Sequence, residues 1–462
     1  MTPFDLIVIG SGSAGLSAVE AAKEAGAKTV AIVESAKRLG GECPNWGCVP
    51  TKAILRSMEV LLAARRGAIF GLRIPSINID FPLMMRRKEQ IVDQLTGHKR
   101  IEKIITQLGA TLIRGEACFV NKNEIEVAGH RYSAKRFVIA TGSETFVPPI
   151  PGLKEAGFST SEDTVKLKKI PASCVIVGGG PIGVEVAQML APLGTKVVIV
   201  EFMDHLLPRE DEEIAAVVKD SFIKQKIHIL TGTKTMAVKK AGKEFIVSVA
   251  PAQGGKEKHL KTNLIIIATG KRPLVSHLGL EKVGVKLNER GMPILNPYLQ
   301  TTNPAVYVAG DASGQMLFTH VAHMQGEVAG TNAITGNKKI SDLSVIPRGT
   351  FCIPEVGSVG LTEAEARQKG YAVGIGKVSY ASFGKALVSR EMEGLVKIVV
   401  DKKTKAVLGG HIVGDDAAEI IHEIALAMYA KIPYTSIAEM IHAYPTYAEA
   451  IGAAAYSAGQ DI

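Results

Sequence analysis

Four residues separate Cys43 from Cys48 in the stretch Gly40-Gly-Glu-Cys-Pro-Asn-Trp-Gly-Cys-Val-Pro-Thr-Lys52. Gly41, Pro44 and Gly47 let a short loop bend until two sulfurs reach bonding distance. Pro50 suits the first turn of a helix, which places Cys48 just before a helix N-terminus. The positive end of that helix and nearby Lys52 favour a thiolate at Cys48. The pair reads as a disulfide made to open and close. The alternatives are a metal half-site and two unrelated buried thiols. Metal fits poorly: the spacing is not Cys-x2-Cys, and Cys118, Cys174 and Cys352 are scattered singly.

Two further stretches carry chemistry. An apolar run from Phe4 to Ile9 leads into Gly10-Ser-Gly12-Ser-Ala-Gly15, a helical pattern to about Ala25, then a strand over Thr29–Val33 closed by Glu34. The glycines allow a tight turn and close approach to a pyrophosphate, the helix N-terminus stabilises its charge, and Glu34 can accept from ribose hydroxyls. The pattern repeats as a strand over Cys174–Val177, Gly178-Gly-Gly180-Pro-Ile-Gly183, a helix to about Leu193, and a strand over Lys196–Val200 closed by Glu201. Ala-Thr141-Gly142-Ser143 after one later strand is echoed by Thr269-Gly270 after another. Two dinucleotide units beside one cysteine pair imply an electron relay. Glu201 would repel the extra phosphate of NADP, and no Arg or Lys follows it in Phe202-Met-Asp204, so NAD(H) is expected over NADP(H).

These elements sit in a chain of 462 residues, 46% hydrophobic and 21% charged, with 47 glycines and five cysteines. That is ordinary for a globular protein of two to four domains, and it is no disulfide scaffold. The first strand begins at Phe4 and leaves no room for a signal peptide. No apolar run reaches 18 residues. A cytoplasmic protein that neither binds nor crosses a membrane is expected. The net charge of +9 is dispersed in pairs such as Arg65-Arg66 and Lys402-Lys403, without interleaved aromatics, so nucleic acid is not an expected partner.

Helices are expected over about Ala53–Ala64 and Pro82–Leu108, with strands at Thr111–Arg114, Glu124–Val127, Arg136–Ala140, Leu264–Ala268 and Val306–Ala309. From about Val345, short alternating strands and helices (Thr362–Lys369, Asp415–Lys431) imply an α+β domain. Its tail reads His442-Ala-Tyr444-Pro-Thr-Tyr-Ala-Glu449.

Over essentially its whole length the chain resembles the FAD-dependent pyridine nucleotide–disulfide oxidoreductases, which include dihydrolipoamide dehydrogenase, glutathione reductase and mercuric reductase. The resemblance implies an α/β fold with two Rossmann-like dinucleotide-binding domains and a C-terminal α+β dimerisation domain. The divisions are expected at 1–146 (FAD), 147–271 (NAD(P)), 272–342 (continuation of the FAD part) and 343–462 (interface). By resemblance Gly10, Gly12, Gly15 and Glu34 hold FAD, and Gly178, Gly180, Gly183 and Glu201 hold the pyridine nucleotide. Thr141, Gly142, Ser143 and Gly270 resemble the returning loops at the cofactors, and Asp311 the aspartate at the ribityl chain. Leu317, Phe318, Thr319 and His320 resemble the segment beneath the isoalloxazine, and Lys52 and Glu185 an ion pair beside the flavin. Cys48 would be the charge-transfer thiol and Cys43 the interchange thiol. The tail would complete the active site of a homodimeric partner.

The tail departs from disulfide-using members, which place His before the proline and Glu five residues after that His. Here Tyr444 precedes Pro445, and Glu449 follows Tyr444 by five. With an unperturbed pKa of about 10, Tyr is a poor base at neutral pH. His442 either substitutes or is a packed histidine; packing is the expectation. A tyrosine there resembles mercuric reductase, yet no cysteine follows Cys352. The expected activity carries hydride from NADH through FAD to the Cys43–Cys48 disulfide, and on to a small-molecule disulfide, thiol or thiol-bound metal electrophile. The alternatives are a dihydrolipoamide dehydrogenase, and a flavoprotein redox sensor or complex component. No resident metal is expected.

Overall fold

A computed structural model describes residues 3–460. They form two compact units. The first takes in Met1–Ala53, Met85–Phe146 and Lys271–Asp342. Its parallel sheet runs Ala110–Arg114, Val30–Glu34, Phe4–Ile9, His130–Ile139 and Val306–Val308, each paired in register with the next. The strands are nearly continuous apolar runs because both faces are covered. Leu6, Val8, Ile32 and Val138 enter one buried cluster, and Ile7, Ile9, Val33 and Ile139 the opposite one. The helix Ser13–Glu24 crosses Thr319–Thr335 in backbone contact: a Cβ on Gly326 or Gly330 would meet the carbonyl of Ala14 or Ala18 at 2.3 Å.

The second unit takes in Ile54–Met84, Val147–Gly270 and Leu343–Ile462. Its parallel sheet orders His228–Leu230, Lys196–Val200, Ser173–Val177, Ile265–Ile267 and Ser159–Thr160. An antiparallel three-stranded sheet, Thr233–Ala241, Glu244–Pro251 and Lys258–Thr262, interrupts it. A second five-stranded sheet is wholly antiparallel: Arg348–Thr350, Val356–Gly360, Val407–Val413, Leu395–Asp401 and Val373–Ser379. Val396, Ile398 and Val400 share a core with Ile421 and Ile424 of the helix Ala417–Tyr429 and with Ala454 and Ala458 of the helix Glu449–Gln460. The period of two turns Lys397 to the other face.

The expected architecture of two Rossmann-like halves and an α+β domain is the one observed. Two local expectations are corrected. The segment Pro82–Leu108 is not one helix: it breaks into Phe81–Thr96 and Arg100–Gln107. His98 and Lys99 between them take φ of 50° and 58°, which no helix interior allows. Cys48 does not precede its helix but is the first residue of Cys48–Arg65. Unforeseen are the single turn Glu42–Asn45, the strand Ala117–Asn121, the helix Glu212–Lys224 and the three-stranded sheet.

The two glycine loops are copies at the atomic level. Gly10 and Gly178 have φ of +108° and +110°, and a Cβ on either would lie 2.2 or 2.3 Å from the carbonyl oxygen of Ala140 or Ala268. A Cβ on Gly15 or Gly183 would lie 1.9 or 2.0 Å from the oxygen of Gly10 or Gly178. Gly180 differs: its φ is −73° and nothing lies within 4 Å of its added Cβ. Gly183→Ala should therefore destabilise the fold by about 1–3 kcal/mol, the cost of overpacking a rigid contact. Gly180→Ala should leave stability unchanged and charge its cost to ligand binding. Chemical denaturation of both variants tests this; equal stability of the two would contradict it.

Candidate active site

The cysteine loop is built by its backbone. Gly40 and Gly41 turn the chain with φ of +98° and +75°. The turn Glu42–Asn45 follows, and the N–H groups of Trp46 and Gly47 both donate to the Glu42 carbonyl. Asn45 Nδ2 donates to the carbonyls of Leu39 (2.9 Å) and Gly41 (2.7 Å), and its Oδ1 accepts from Thr96 Oγ1 at 2.9 Å. The Glu42 carboxylate pairs with Lys271, whose side chain is almost fully buried. Gly41 lies against Gly12: a Cβ there would meet Gly12 Cα at 2.7 Å.

Both cysteines are free thiols, Cys43 half-buried and Cys48 exposed. The hydrogen bond to Cys48 pushes the Cys43 thiol far above its ordinary value, and burial adds to it. Thr319 Oγ1 and Lys52 act in the opposite direction. Cys43 and Cys48 share a hydrogen bond, and Cys48 Sγ also lies 3.5 Å from Thr319 Oγ1. Cys48 opens an 18-residue helix, where the macrodipole favours negative charge. Thr319 opens another, Thr319–Thr335, entered from Leu317 and Phe318, with Phe318 stacked on His320 at 5.5 Å between ring centroids.

Glu34 does more than end a strand. One carboxylate oxygen accepts from the N–H (2.9 Å) and hydroxyl (2.7 Å) of Ser11, and the other from the Ala36 N–H at 2.8 Å. Ser11 Oγ in turn accepts from the Gly40 N–H at 3.2 Å. Acid, glycine loop and cysteine loop thus form one hydrogen-bonded chain. Glu201 repeats the pattern, accepting from the N–H groups of Gly179 and of Met203 (2.7 Å).

The remaining first-unit residues fit a flavin dinucleotide. Thr141 Oγ1 is buried and has no hydrogen-bond partner among the described residues. Ser143 Oγ donates to Asp311 Oδ2 at 2.7 Å, and burial pushes the Asp311 carboxyl up while Ser143 and Lys271 pull it down. The helix Ser13–Glu24 starts at Gly12 with no side-chain cap and no acid in its first turn, which leaves its N–H groups to an anion. In the second unit the helix Pro181–Leu190 starts in the same way at Gly180. Glu185 is buried and accepts from the Phe351 N–H at 3.1 Å; Gly270 is open at φ +109°.

The tail lies in the second unit. His442 Nε2 is 3.0 Å from Glu423 Oε1, and its ring packs on Gly452. Tyr444 is 78% exposed. Glu449 begins the helix Glu449–Gln460 and accepts from the Thr446 N–H at 3.0 Å, so it braces the turn after Pro445. Sequence reasoning missed Ser11, Glu42, Asn45, Thr96 and Lys271. Ser11 and Glu42 lie inside motifs that were read only for their glycines and cysteines. Thr96 and Lys271 meet the loop from distant segments and left no local signal.

The pyridine nucleotide–disulphide oxidoreductase family matches residues 4–326, and the dimerisation domain of that family matches residues 346–455. The chain belongs to this family. It is 36% identical over 459 residues to a mercuric reductase of Bacillus cereus, covering 99% of this chain and 72% of that protein. It is also 36% identical to a dihydrolipoyl dehydrogenase of Thermus scotoductus, covering 98% of this chain and 97% of that one. Among solved structures it superposes on the Cu(II) complex of the HOCl-induced flavoprotein disulfide reductase RclA of Escherichia coli, with a TM-score of 0.87 at 27% identity and 99% of each chain covered. The protein is thus an enzyme of a family that uses FAD and a pyridine nucleotide, and it carries that family's dimerisation domain. Among the described residues no helix is long and apolar enough to cross a membrane.

The asymmetry of the thiols generates a test on the reduced holoenzyme. Cys43→Ser should keep or strengthen the long-wavelength absorbance of a thiolate against flavin, because Cys48 retains the charge. Cys48→Ser should abolish it. Identical spectra for the two variants would reverse or remove the assignment.

Proposed function

We propose that this enzyme takes electrons from NADH and delivers them, at Cys43 and Cys48, to a disulfide or a thiol-bound electrophile such as a soft metal ion, in the manner of mercuric reductase. The carrying observation is the pair itself: a half-buried thiol, Cys43, hydrogen-bonded to a second, Cys48, at a helix N-terminus. Bound FAD would supply hydride acceptance and two-electron delivery to the disulfide, held by the first glycine loop, Glu34, Thr141, Ser143, Asp311 and Leu317–His320. Cys48 then holds negative charge between the helix dipole, Lys52 and Thr319. Cys43 attacks one sulfur of a disulfide, and the other sulfur leaves and takes up the proton that Cys43 gives up. The Cys48 thiolate then displaces the second thiolate to re-form the Cys43–Cys48 disulfide. With a soft metal ion the two sulfurs instead bind the ion, and the Cys43 proton goes to solvent.

NADH is preferred on this reading because Glu201 carries its charge where an extra phosphate would sit. Phe202 and Met203, both exposed, offer that phosphate no cation. Glu201→Ala combined with Phe202→Arg should narrow or reverse the preference in KM; a wild type that strongly favours NADPH would refute it. A homodimer is supported by the dimerisation domain and by the apolar side chains that this domain exposes, Leu426, Tyr429 and Ile441 among them. Exposed Tyr444 would then reach the partner's active site.

The tail decides between substrates. Dihydrolipoamide oxidation needs a base, and such help is worth about 10²–10⁴-fold. His442 is bound to Glu423, and Tyr444 offers a phenol where a base is needed. Lipoamide turnover should therefore be slow beside turnover of the true acceptor. NADH oxidation screened against lipoamide, glutathione disulfide, Hg(II), Cu(II), quinones and oxygen tests this. Tyr444→His should raise lipoamide activity by about 10²-fold near pH 7–8, the low end of that range. Fast wild-type lipoamide turnover that His442→Ala destroys would make the enzyme a dihydrolipoamide dehydrogenase with a displaced base.

A further inference from the structure

Five polar side chains stand in one row across the antiparallel sheet of the second unit. Arg348 pairs in register with Ser358, Ser358 with His411, His411 with Lys397, and Lys397 with Lys377. They occupy the face opposite the apolar core. The acids at the start of the helix Glu212–Lys224 lie against this row. Lys397 Nζ is 3.0 Å from Asp211, 2.8 Å from Glu213 and 2.9 Å from Glu363. Arg348 Nε is 3.5 Å from Glu210, and Lys377 pairs with Glu213. Lys397 is 3% exposed and Asp211 5%. Burial alone would lower the lysine's pKa, yet the three carboxylates outweigh it and hold the ammonium above its ordinary range. A buried cation with three directed partners tolerates little displacement of any of them.

This anchor ends a strap that begins at the second glycine loop. Asp211 Oδ1 caps the helix by accepting from the Glu213 N–H, so its carboxylate serves both cap and ion pair. One turn earlier the Glu210 N–H donates to the Leu207 carbonyl, and the Leu207 N–H donates to the Gly179 carbonyl at 2.9 Å. Leu206 is fully buried against Gly179; a Cβ there would meet its Cδ2 at 2.7 Å. Gly179 also gives its N–H to Glu201. The middle of the glycine loop is therefore held on both backbone groups by segment 201–211, whose far end is fixed to Lys397 and Arg348.

We propose that Lys397 is a positioning residue for the pyridine nucleotide: from the C-terminal sheet it fixes Asp211 and, through Leu207 and Leu206, the geometry of the Gly178–Gly183 loop. The inference rests on the second unit's taking the nucleotide. Loosening the anchor lets the loop N–H groups drift from the pyrophosphate, and binding weakens while the chemistry at Cys43 and Cys48 is untouched.

The test uses the full-length holoenzyme and calorimetric titration with NAD+ or NADP+, whichever the wild type binds, beside steady-state kinetics. Lys397→Met should raise both the nucleotide Kd and its KM about 5- to 10-fold. kcat at saturating nucleotide, the KM of the electron acceptor and the absorbance of bound flavin should stay within twofold. Lys397→Arg, which keeps the cation, should restore affinity to within twofold. Asp211→Asn keeps an oxygen for the Glu213 cap but removes the charge; it should weaken binding about as much as Lys397→Met, and it carries the test should that variant not fold. Unchanged nucleotide affinity in both variants, or an equal fall of kcat with no change in KM, would overturn the proposal. A wild type that binds no nucleotide, or whose binding survives blockage of the loop by Gly180→Trp, would instead overturn the placement of the nucleotide.

Discussion

A single carboxylate, Glu34, is the constraint on which the first unit depends. It ends the second parallel strand and reaches back to Ser11, in the middle of the glycine loop. A glycine-rich loop is entropically expensive to order. Charge-assisted hydrogen bonds to the N–H and hydroxyl of Ser11 offset part of that cost at the point where the loop lacks side chains to pack. Through Ser11 the same bonds hold Gly40, and with it the turn that carries Cys43. The first glycine loop and the cysteine loop are in this way one hydrogen-bonded piece of backbone.

The second unit solves the same problem with different material. Glu201 takes the place of Glu34 and Gly179 that of Ser11. Gly179 has no hydroxyl to tie in the chain that follows, so the strap from Phe202 to Asp211 does this through Leu206 and Leu207. In the first repeat the chain after the acid becomes the redox loop; in the second it becomes a strut to another sheet. One βαβ scaffold thus serves two tasks by changing only what returns to the middle of its glycine loop.

The repeat was legible in the sequence because its signals are local: glycines at fixed offsets, apolar strands of five or six residues, and an acid at the strand end. The cysteine pair was legible for the same reason. What stayed hidden depends on residues far apart in the chain. Lys271 reaches Glu42, Glu423 reaches His442, and Lys397 reaches Asp211, none at a spacing that periodicity reveals. The helix break at His98 and Lys99 was also hidden. Gly97 alone marked it, and the neighbouring sequence is strongly helical on both sides. Glu34 also has a role within the protein that spacing does not show: it accepts three hydrogen bonds from the chain and keeps about one acceptor position for a ligand.

The tail shows how one position can shift chemistry without altering the fold. Glu449 fixes the turn through the Thr446 N–H, and Tyr447 is buried in a stack on Tyr380 at 4.7 Å between ring centroids. Those contacts hold the backbone around Pro445 whatever residue precedes it. Tyr444 itself is largely exposed, with its ring laid over Gly384, and contributes little to that frame. The side chain at 444 is therefore free to follow the needs of the substrate. A histidine there takes up and returns a proton near neutral pH. A phenol donates a hydrogen bond to a thiolate sulfur or offers its oxygen to a thiol-bound metal ion. His442 cannot readily exchange roles with it. Leaving Glu423 would take a half-buried carboxylate's partner away, and the ring, itself the buried member of the pair, would vacate its packing against Gly452. The energetic cost of moving His442, rather than its distance along the chain, is what keeps it from taking the exposed position of Tyr444.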